Sequence, residues 1–234
     1  RAAAHRIALD VHEPIKPTGL CRTWPNLMSG EGVRGTEYEA WSDGNPPEHT
    51  TIIPFTRGLA GPIDYTPGIF AVTFPKYRAG NRVHTTVAKQ LALYVAIFSP
   101  LQMAADLPEN YAGMPAFQFI RDVPVTWDET RAIDAAIGDY VIVARRKGSD
   151  WFIGAITDED ARDVEIPLLF LDPDRAYRAI QYVDGENADW EKNPRALNIR
   201  PRTVCAADTL KLHLAAGGGA ALHITPAEDA PPRE

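Results

Sequence analysis

Residues 6–14, Arg6-Ile7-Ala8-Leu9-Asp10-Val11-His12-Glu13-Pro14, run from a largely apolar segment into a His-Glu pair stopped by proline. An apolar run of this kind is the pattern of a buried parallel strand, and proline closes it because it has no N–H to give to a ladder. Glu13 is thereby placed at the carboxyl end of a strand, the end at which barrels and open α/β sheets hold their ligands. A second acidic stretch follows, Glu31-Gly32-Val33-Arg34-Gly35-Thr36-Glu37-Tyr38-Glu39. Its glycines, with Gly30, open conformations closed to other residues and let Glu31 and Glu37 turn inward from a loop. If the backbone there is extended, Glu37 and Glu39 point one way and Tyr38 the other. Carboxylates gathered like this repel one another unless they share a proton or a divalent cation.

Around these stretches, up to about Arg121, the pattern is strand, glycine-rich loop, helix, which favours βα units of a parallel sheet or barrel. The clearest helix covers residues 86–99, with Val87, Leu91, Tyr94, Val95 and Phe98 on one face and Pro100 ending it. A shorter one covers residues 52–59, with Thr50 or Thr51 as its cap. Gly61-Pro62-Ile63-Asp64-Tyr65-Thr66-Pro67-Gly68 reads as a second strand end leading into a loop. After about Val123 the period shortens to two. Residues 140–146 and 151–156 flank a hairpin turn, Lys147-Gly148-Ser149-Asp150. Further strands are expected over 162–168, 177–183, 209–214 and 220–224, the last two joined through Gly217-Gly218-Gly219. The fold class is α/β followed by all-β, the second part an antiparallel β-sandwich, with a frayed proline-rich acidic tail from Pro226 onward.

The composition, 45% apolar and 24% charged over 234 residues, is that of a globular chain with a real core. A net charge of −7 and a pI near 5.4 argue against nucleic acid or an anionic membrane as partner. The apolar stretch 88–105 is interrupted by Lys89, Gln90, Ser99, Pro100 and Gln102, so it reads as a buried helix and not as a membrane span. Cys21 and Cys205 lie far apart and read as free buried thiols. The six histidines match no zinc spacing, and His49 reads as a helix-start residue. No Gly-x-Ser-x-Gly elbow, Walker loop or dinucleotide fingerprint is present. Arg1-Ala2-Ala3-Ala4 shows no signal pattern and leads straight into a core strand, as expected of the back portion of a longer protein. What remains is carboxylate chemistry, and paired carboxyl groups are the equipment of glycoside hydrolysis. Trp24, Trp41, Tyr38 and Tyr65 suit stacking on a sugar ring, although aromatics are more often plain core. Lys16 and Arg22 either pair with the carboxylates or bind sugar hydroxyls.

Several longer motifs, His12-Glu13-Pro14-Ile15-Lys16-Pro17-Thr18-Gly19, Arg22-Thr23-Trp24-Pro25-Asn26, Glu31-Gly32-Val33-Arg34-Gly35, Asn45-Pro46-Pro47-Glu48-His49-Thr50, the Gly61–Gly68 stretch and Ser99-Pro100-Leu101-Gln102-Met103-Ala104-Ala105-Asp106, closely resemble glycoside hydrolase family 97, the calcium-dependent α-glucosidases and α-galactosidases. The likeness extends through Asp184-Gly185, Asp189-Trp190 and the Gly217–Gly219 turn. It implies that residues 1–122 are the C-terminal part of a (β/α)8 catalytic barrel and residues 123–234 a C-terminal antiparallel β-domain. A β-super-sandwich and the first part of the barrel would precede them in the missing N-terminal part of the same protein.

Carried over position by position, the resemblance implies Glu13 as the catalytic base that also touches calcium, Glu31 as a calcium ligand, Glu37 as the general acid near the metal, and His12 as a substrate contact. A general acid must keep its proton, so a raised pKa is expected at Glu37. The cofactor implied is Ca2+. The family contains both stereochemical outcomes, and a glutamate after the histidine of the first motif marks its inverting branch. Glu13 therefore implies inverting hydrolysis of terminal α-glucosidic bonds, on an α-glucoside or α-glucan oligosaccharide, with carboxyl groups roughly 6.5–9.5 Å apart and not the roughly 5 Å of a retaining enzyme. The alternatives are a retaining α-galactosidase and a non-catalytic carbohydrate-binding or structural remnant. The resemblance places a further calcium ligand and a further carboxylate upstream of Arg1. It thus implies that this stretch alone is catalytically incomplete, that its open half barrel aggregates or needs its missing half, and that the protein is periplasmic or secreted.

Overall fold

The computed structural model describes residues 1–14, 16–76 and 78–227. Ile15 of the first motif and the expected tail beyond residue 227 lie outside the described residues. In the first half, β1 (Leu9–Val11), α1 (Leu20–Thr23), β2 (Leu27–Gly30), α2 (Tyr38–Trp41), α3 (His49–Ile52), α4 (Val87–Ala96), α5 (Pro108–Tyr111) and α6 (Phe117–Asp122) follow one another. The second half holds β3 (Glu129–Ala136), β4 (Tyr140–Lys147), β5 (Asp150–Thr157), β6 (Arg162–Pro167), β7 (Ala176–Asp184), β8 (Leu197–Cys205), β9 (Thr209–Leu214) and β10 (Gly219–Pro226).

β1 and β2 are parallel, Gly30 bridges Ile63 in parallel, and the Ile63 N–H donates to the Phe98 carbonyl at 3.0 Å. Extended backbone thus runs side by side at residues 9–11, 27–30, 63 and 98. The second half is antiparallel β-structure, whereas these parallel segments are not in themselves a closed barrel. The strand expected over 6–11 is shorter and less buried than its composition implies: only Leu9–Val11 is strand, and Ile7, Leu9 and Val11 are exposed. β1 has β2 as its one partner, so its other edge and its apolar side chains lack a covering layer among the described residues.

The long helix is α4. Thr86 caps it, its hydroxyl accepting the Lys89 N–H at 3.2 Å. It ends at Ala96, not Ser99, because Ile97 is already extended and Phe98 is bonded to Ile63. Its residues are buried all round, and not only on the expected apolar face. The helix expected over 52–59 starts earlier and breaks. Thr50 and Thr51 lie inside α3 and are not its cap, and Pro54, which cannot donate to an α-helical ladder, turns the chain into two 3-10 segments, Ile53–Phe55 and Arg57–Ala60.

α4 is buried throughout because it lies on the β-domain. Six antiparallel strands in the order β3-β4-β5-β10-β7-β8 form one sheet, and β6 and β9 form a separate pair. Leu91, Val95, Phe152 and Ala221 share one core, on the α4 side; Ile153, Leu222, Ile166 and Leu210 share the other, under β6 and β9. Both faces of the central sheet are therefore covered, and β5 is buried along nearly its whole length instead of alternating. The β4–β5 hairpin turns at Gly148, whose φ of 59° is open to glycine. β9 and β10, joined through Gly217–Gly219, do not pair, since the chain crosses there from one sheet to the other. The sequence pattern contained no clear signal for β3 and β8. Both are edge strands, largely exposed, and β8 carries Pro201, which only an edge tolerates. Cys21 and Cys205 are free, but half-buried and not buried. No helix among the described residues is long and apolar enough to cross a membrane.

Two glycines set how closely α4 approaches the sheet. A Cβ at Gly154 would lie 2.5 Å from the Ala92 carbonyl oxygen and 2.9 Å from the Val95 Cβ; one at Gly219 would lie 2.9 Å from the Lys89 Cα. The Lys89 ammonium, fully buried, donates to the carbonyls of Pro47 at 2.8 Å and Thr157 at 2.6 Å. Burial pushes its pKa down to about 7, against the opposing pull of Glu159, Asp158, Asp184 and Glu39. One side chain thus ties the helix, the loop before α3 and the end of β5. Because the atom met at position 154 is backbone and cannot turn aside, Gly154→Ala is expected to lower stability by about 1–3 kcal/mol, read as the shift of the urea unfolding midpoint.

Candidate active site

Three side chains leave the carboxyl ends of adjacent extended segments: His12 after β1, Glu31 after β2 and Asp64 after Ile63. The Asp64 Oδ2 lies 2.7 Å from the His12 Nε2. On the other side of the ring, Nδ1 lies 3.8 Å from a Glu31 oxygen and 3.7 Å from a Glu37 oxygen. Glu31 and Asp64 are buried, and each keeps one oxygen without a hydrogen-bond partner, Oε1 and Oδ1 respectively. The Glu13 N–H donates to Glu31 Oε2 at 3.2 Å. Glu13 itself has φ 53°, a left-handed conformation that costs a non-glycine residue about 1–2 kcal/mol.

The hydrogen bond to Asp64 is the largest cause of a raised His12 pKa; burial opposes it, and the charges of Glu31, Asp64 and Glu37 add to it. Asp10 is pushed up to about 6, first by burial and then by its hydrogen bond to Asp64 and the charge there.

Glu37 is not in extended chain. It is the residue before α2, with φ −61° and ψ −25°, so Glu37 and Glu39 diverge instead of pointing together. Glu37 is exposed near His12, whereas Glu39 is buried on the far side of the helix. There its Oε1 accepts the Asn45 N–H at 3.2 Å and its Oε2 lies 3.6 Å from the His84 Nδ1. Burial pushes Glu39 up to about 7, offset by the Asn45 N–H and by Arg34 and Lys89. The enclosed surroundings expected of Glu37 are thus found two residues on.

Of the expected site residues, His12, Glu31 and Glu37 come together, each offering a ligand atom within 4.8 Å of the others. Asp10, His12 and Asp64 form a second such group. The Glu13 carboxylate is in neither group among the described residues, and this residue joins the cluster through its backbone. The Glu31 and Glu37 carboxylates, each with an oxygen within 4 Å of the His12 Nδ1, and the second, buried Glu31 oxygen without a partner are the kind of oxygen donors that calcium takes. Asp64 and Asp10 were not foreseen, and Glu39 was expected beside Glu37 and not behind it. Asp64 carried the same signal as Glu13, an acidic residue at a strand end; Asp10 carried none. Lys16 and Arg22 form no ion pair among the described residues. Tyr65 is core, packed near His49, which opens α3 and bonds the Arg34 carbonyl at 2.8 Å.

Carboxyl groups clustered at the ends of parallel strands and backed by an antiparallel β-domain are the equipment of a glycoside hydrolase. The family model described as "Glycosyl-hydrolase 97 C-terminal, oligomerisation" matches residues 126–225, and that described as "Glycoside hydrolase 97" matches residues 1–33. The chain belongs to glycoside hydrolase family 97. It is 51% identical to a family 97 enzyme of Pseudoalteromonas sp. strain K8, solved in complex with panose, with a TM-score of 0.92 over 97% of this chain and 36% of that one. The retaining alpha-galactosidase of Bacteroides thetaiotaomicron is 39% identical over 230 residues, 95% of this chain and 34% of that protein. A probable retaining alpha-galactosidase of Streptomyces bingchenggensis is 34% identical over 93% of this chain and 31% of its own length. The chain therefore spans about a third of the relatives it matches.

Two outcomes follow from the site. Removing the charge of its main partner should lower the His12 pKa, so Asp64→Asn shifts the imidazole titration followed by NMR to lower pH. Glu39 binds its proton more tightly folded than unfolded, so the folded state holds the extra proton between about pH 4.5 and about 7, and stability falls as pH rises through that window. Glu39→Gln should remove this component, on the order of 3 kcal/mol, making the variant more stable than the parent at pH 8 in urea unfolding; the smaller declines from Asp10 and Asp184, both pushed up to about 6, remain.

Proposed function

We propose that the chain forms the C-terminal third of an inverting, calcium-dependent α-glucosidase that removes glucose from the ends of α-glucosides, with residues 1–122 the last βα units of its barrel and residues 123–234 a separate β-domain. The observation that carries this reading is the convergence of His12, Glu31 and Glu37 at parallel strand ends, with Glu13 bonded to Glu31 through its backbone. The relative solved with panose, an α-linked glucose trisaccharide, supports the choice of sugar.

In this reading Glu13 is the base: it takes a proton from the water that attacks the anomeric carbon. Glu37 gives its proton to the glycosidic oxygen as the bond to that carbon breaks. His12, oriented by Asp64, contacts the sugar hydroxyls. Glu31, with Glu37 and Glu13, would hold a calcium ion, which when bound neutralises carboxylates that otherwise repel and favours the ionised base. The exposed Ile7, Leu9 and Val11 lie against the rest of the barrel, and residues 126–225 join copies of the protein, in line with the family model's description. Placement in the periplasm or outside the cell belongs to the same reading.

A second reading, a retaining α-galactosidase, is favoured by the names of the two curated relatives. Proton NMR of maltose and 4-nitrophenyl α-galactoside hydrolysis by the full-length protein separates the two. The expected result is β-glucose as the first anomer from maltose, with kcat reduced roughly 10²–10⁴-fold in Glu13→Gln and in Glu37→Gln. First-formed α-galactose contradicts the proposal in favour of the second reading, and no turnover of either sugar contradicts both.

A further inference from the structure

Trp41 is left unused by the roles above, and its position is unusual for a tryptophan. It is 60% exposed, although an indole carries a large apolar surface. It is also the last residue of α2, four residues after Glu37, so the two side chains share one helix face a turn apart, roughly 6 Å between their Cβ atoms. Exposure rises along that line: the Asp64 side chain is 0% exposed, Glu37 43% and Trp41 60%. Asp64 is thus closed off, whereas Glu37 and Trp41, one helical turn apart, are both open.

The indole is not loosely placed. Tyr38 meets it edge-on at 6.0 Å, and the Arg34 guanidinium lies over the Tyr38 ring at 5.0 Å. The Asn81 amide donates to the carbonyls of Glu39 at 3.2 Å and Ser42 at 2.9 Å, and Arg34 donates to the Ser42 hydroxyl at 3.3 Å and the Gly44 carbonyl at 3.1 Å. Buried Glu39 anchors the opposite side of the helix. A four-residue helix is held at its C-terminal end and underneath, and the side chain it presents is an unburied aromatic face.

We infer that Trp41 is the platform for the leaving-group sugar, a residue that sets preference for an oligosaccharide over a substrate whose leaving group is not a sugar. This rests on the reading of Glu37 as the general acid. The proton of Glu37 goes to the oxygen that departs with the leaving group, so the sugar bearing that oxygen begins within hydrogen-bond reach of Glu37 and extends toward the mouth, where the indole offers its face to the apolar C–H side of a pyranose ring. The sugar whose anomeric carbon is attacked sits deeper, toward His12, and does not reach Trp41.

The test compares maltose with α-glucosyl fluoride in the full-length protein, since fluoride leaves without a sugar attached. Trp41→Ala should lower kcat/KM for maltose about tenfold, mainly through KM, with the loss confined to the sugar leaving group: kcat/KM for the fluoride should stay within about twofold. Trp41→Phe should recover most of the maltose activity. An equal loss on both substrates overturns the inference in favour of a supporting role, including cover by upstream chain, and so does no loss on either. Failure of the parent protein to cleave either substrate overturns the functional reading itself, a result distinct from an active parent whose Trp41→Ala variant is unaffected.

Discussion

Carboxylates brought to the end of a parallel sheet repel one another, and in this chain the imidazole of His12 is the group around which they are held. One ring nitrogen is bonded to Asp64, and the other faces Glu31 and Glu37. The acidic residues in turn raise the pKa of the imidazole, so the cluster favours a cation at its own centre. Asp10, close to the same Asp64, answers differently: burial first, and then Asp64, push its pKa up to about 6. The cluster is therefore held together by the imidazole between opposite charges, and the buried oxygens Glu31 Oε1 and Asp64 Oδ1 have no hydrogen-bond partner.

This arrangement is kept in place by the packing behind it. α4 carries no site residue, yet it lies between the extended segments and the β-domain, and Lys89 reaches from it to the Pro47 carbonyl in the loop that begins with Asn45. Asn45 in turn bonds Glu39 and the carbonyls of Arg34 and Gly35, on either side of which lie Glu31 and Glu37. A buried ammonium with two carbonyl partners is costly if either is lost. The β-domain thereby contributes to the geometry of a pocket it does not line.

The strands of the β-domain were legible where apolar runs and turn residues coincide, as at the Gly148 hairpin. β3 and β8 were not, because an edge strand exposed on most of its length has no buried face to impose a pattern. β5 reads as alternating only if one face is wet, and here both are covered. In the site, Glu31 and Glu37 were marked by the glycines around them, and Glu13 by the proline after it. The divergence of Glu37 and Glu39 was hidden because it depends on a single helical turn, too short to leave a period. The exposure of Ile7, Leu9 and Val11 departs from the buried strand that their apolar run suggests and agrees with the exposed apolar faces that an open half barrel implies, since such a run reports the need for a cover and not what supplies it.

The central proposal is that the carboxylates of Glu31 and Glu37, with Glu13, hold a calcium ion beside His12. Calorimetric titration of the full-length protein with calcium, alongside its Glu31→Gln variant, tests it most directly. The account predicts one tightly bound ion in the parent and at least a tenfold weaker affinity in the variant, whereas equal affinity in the two proteins, or no binding by the parent, would contradict it.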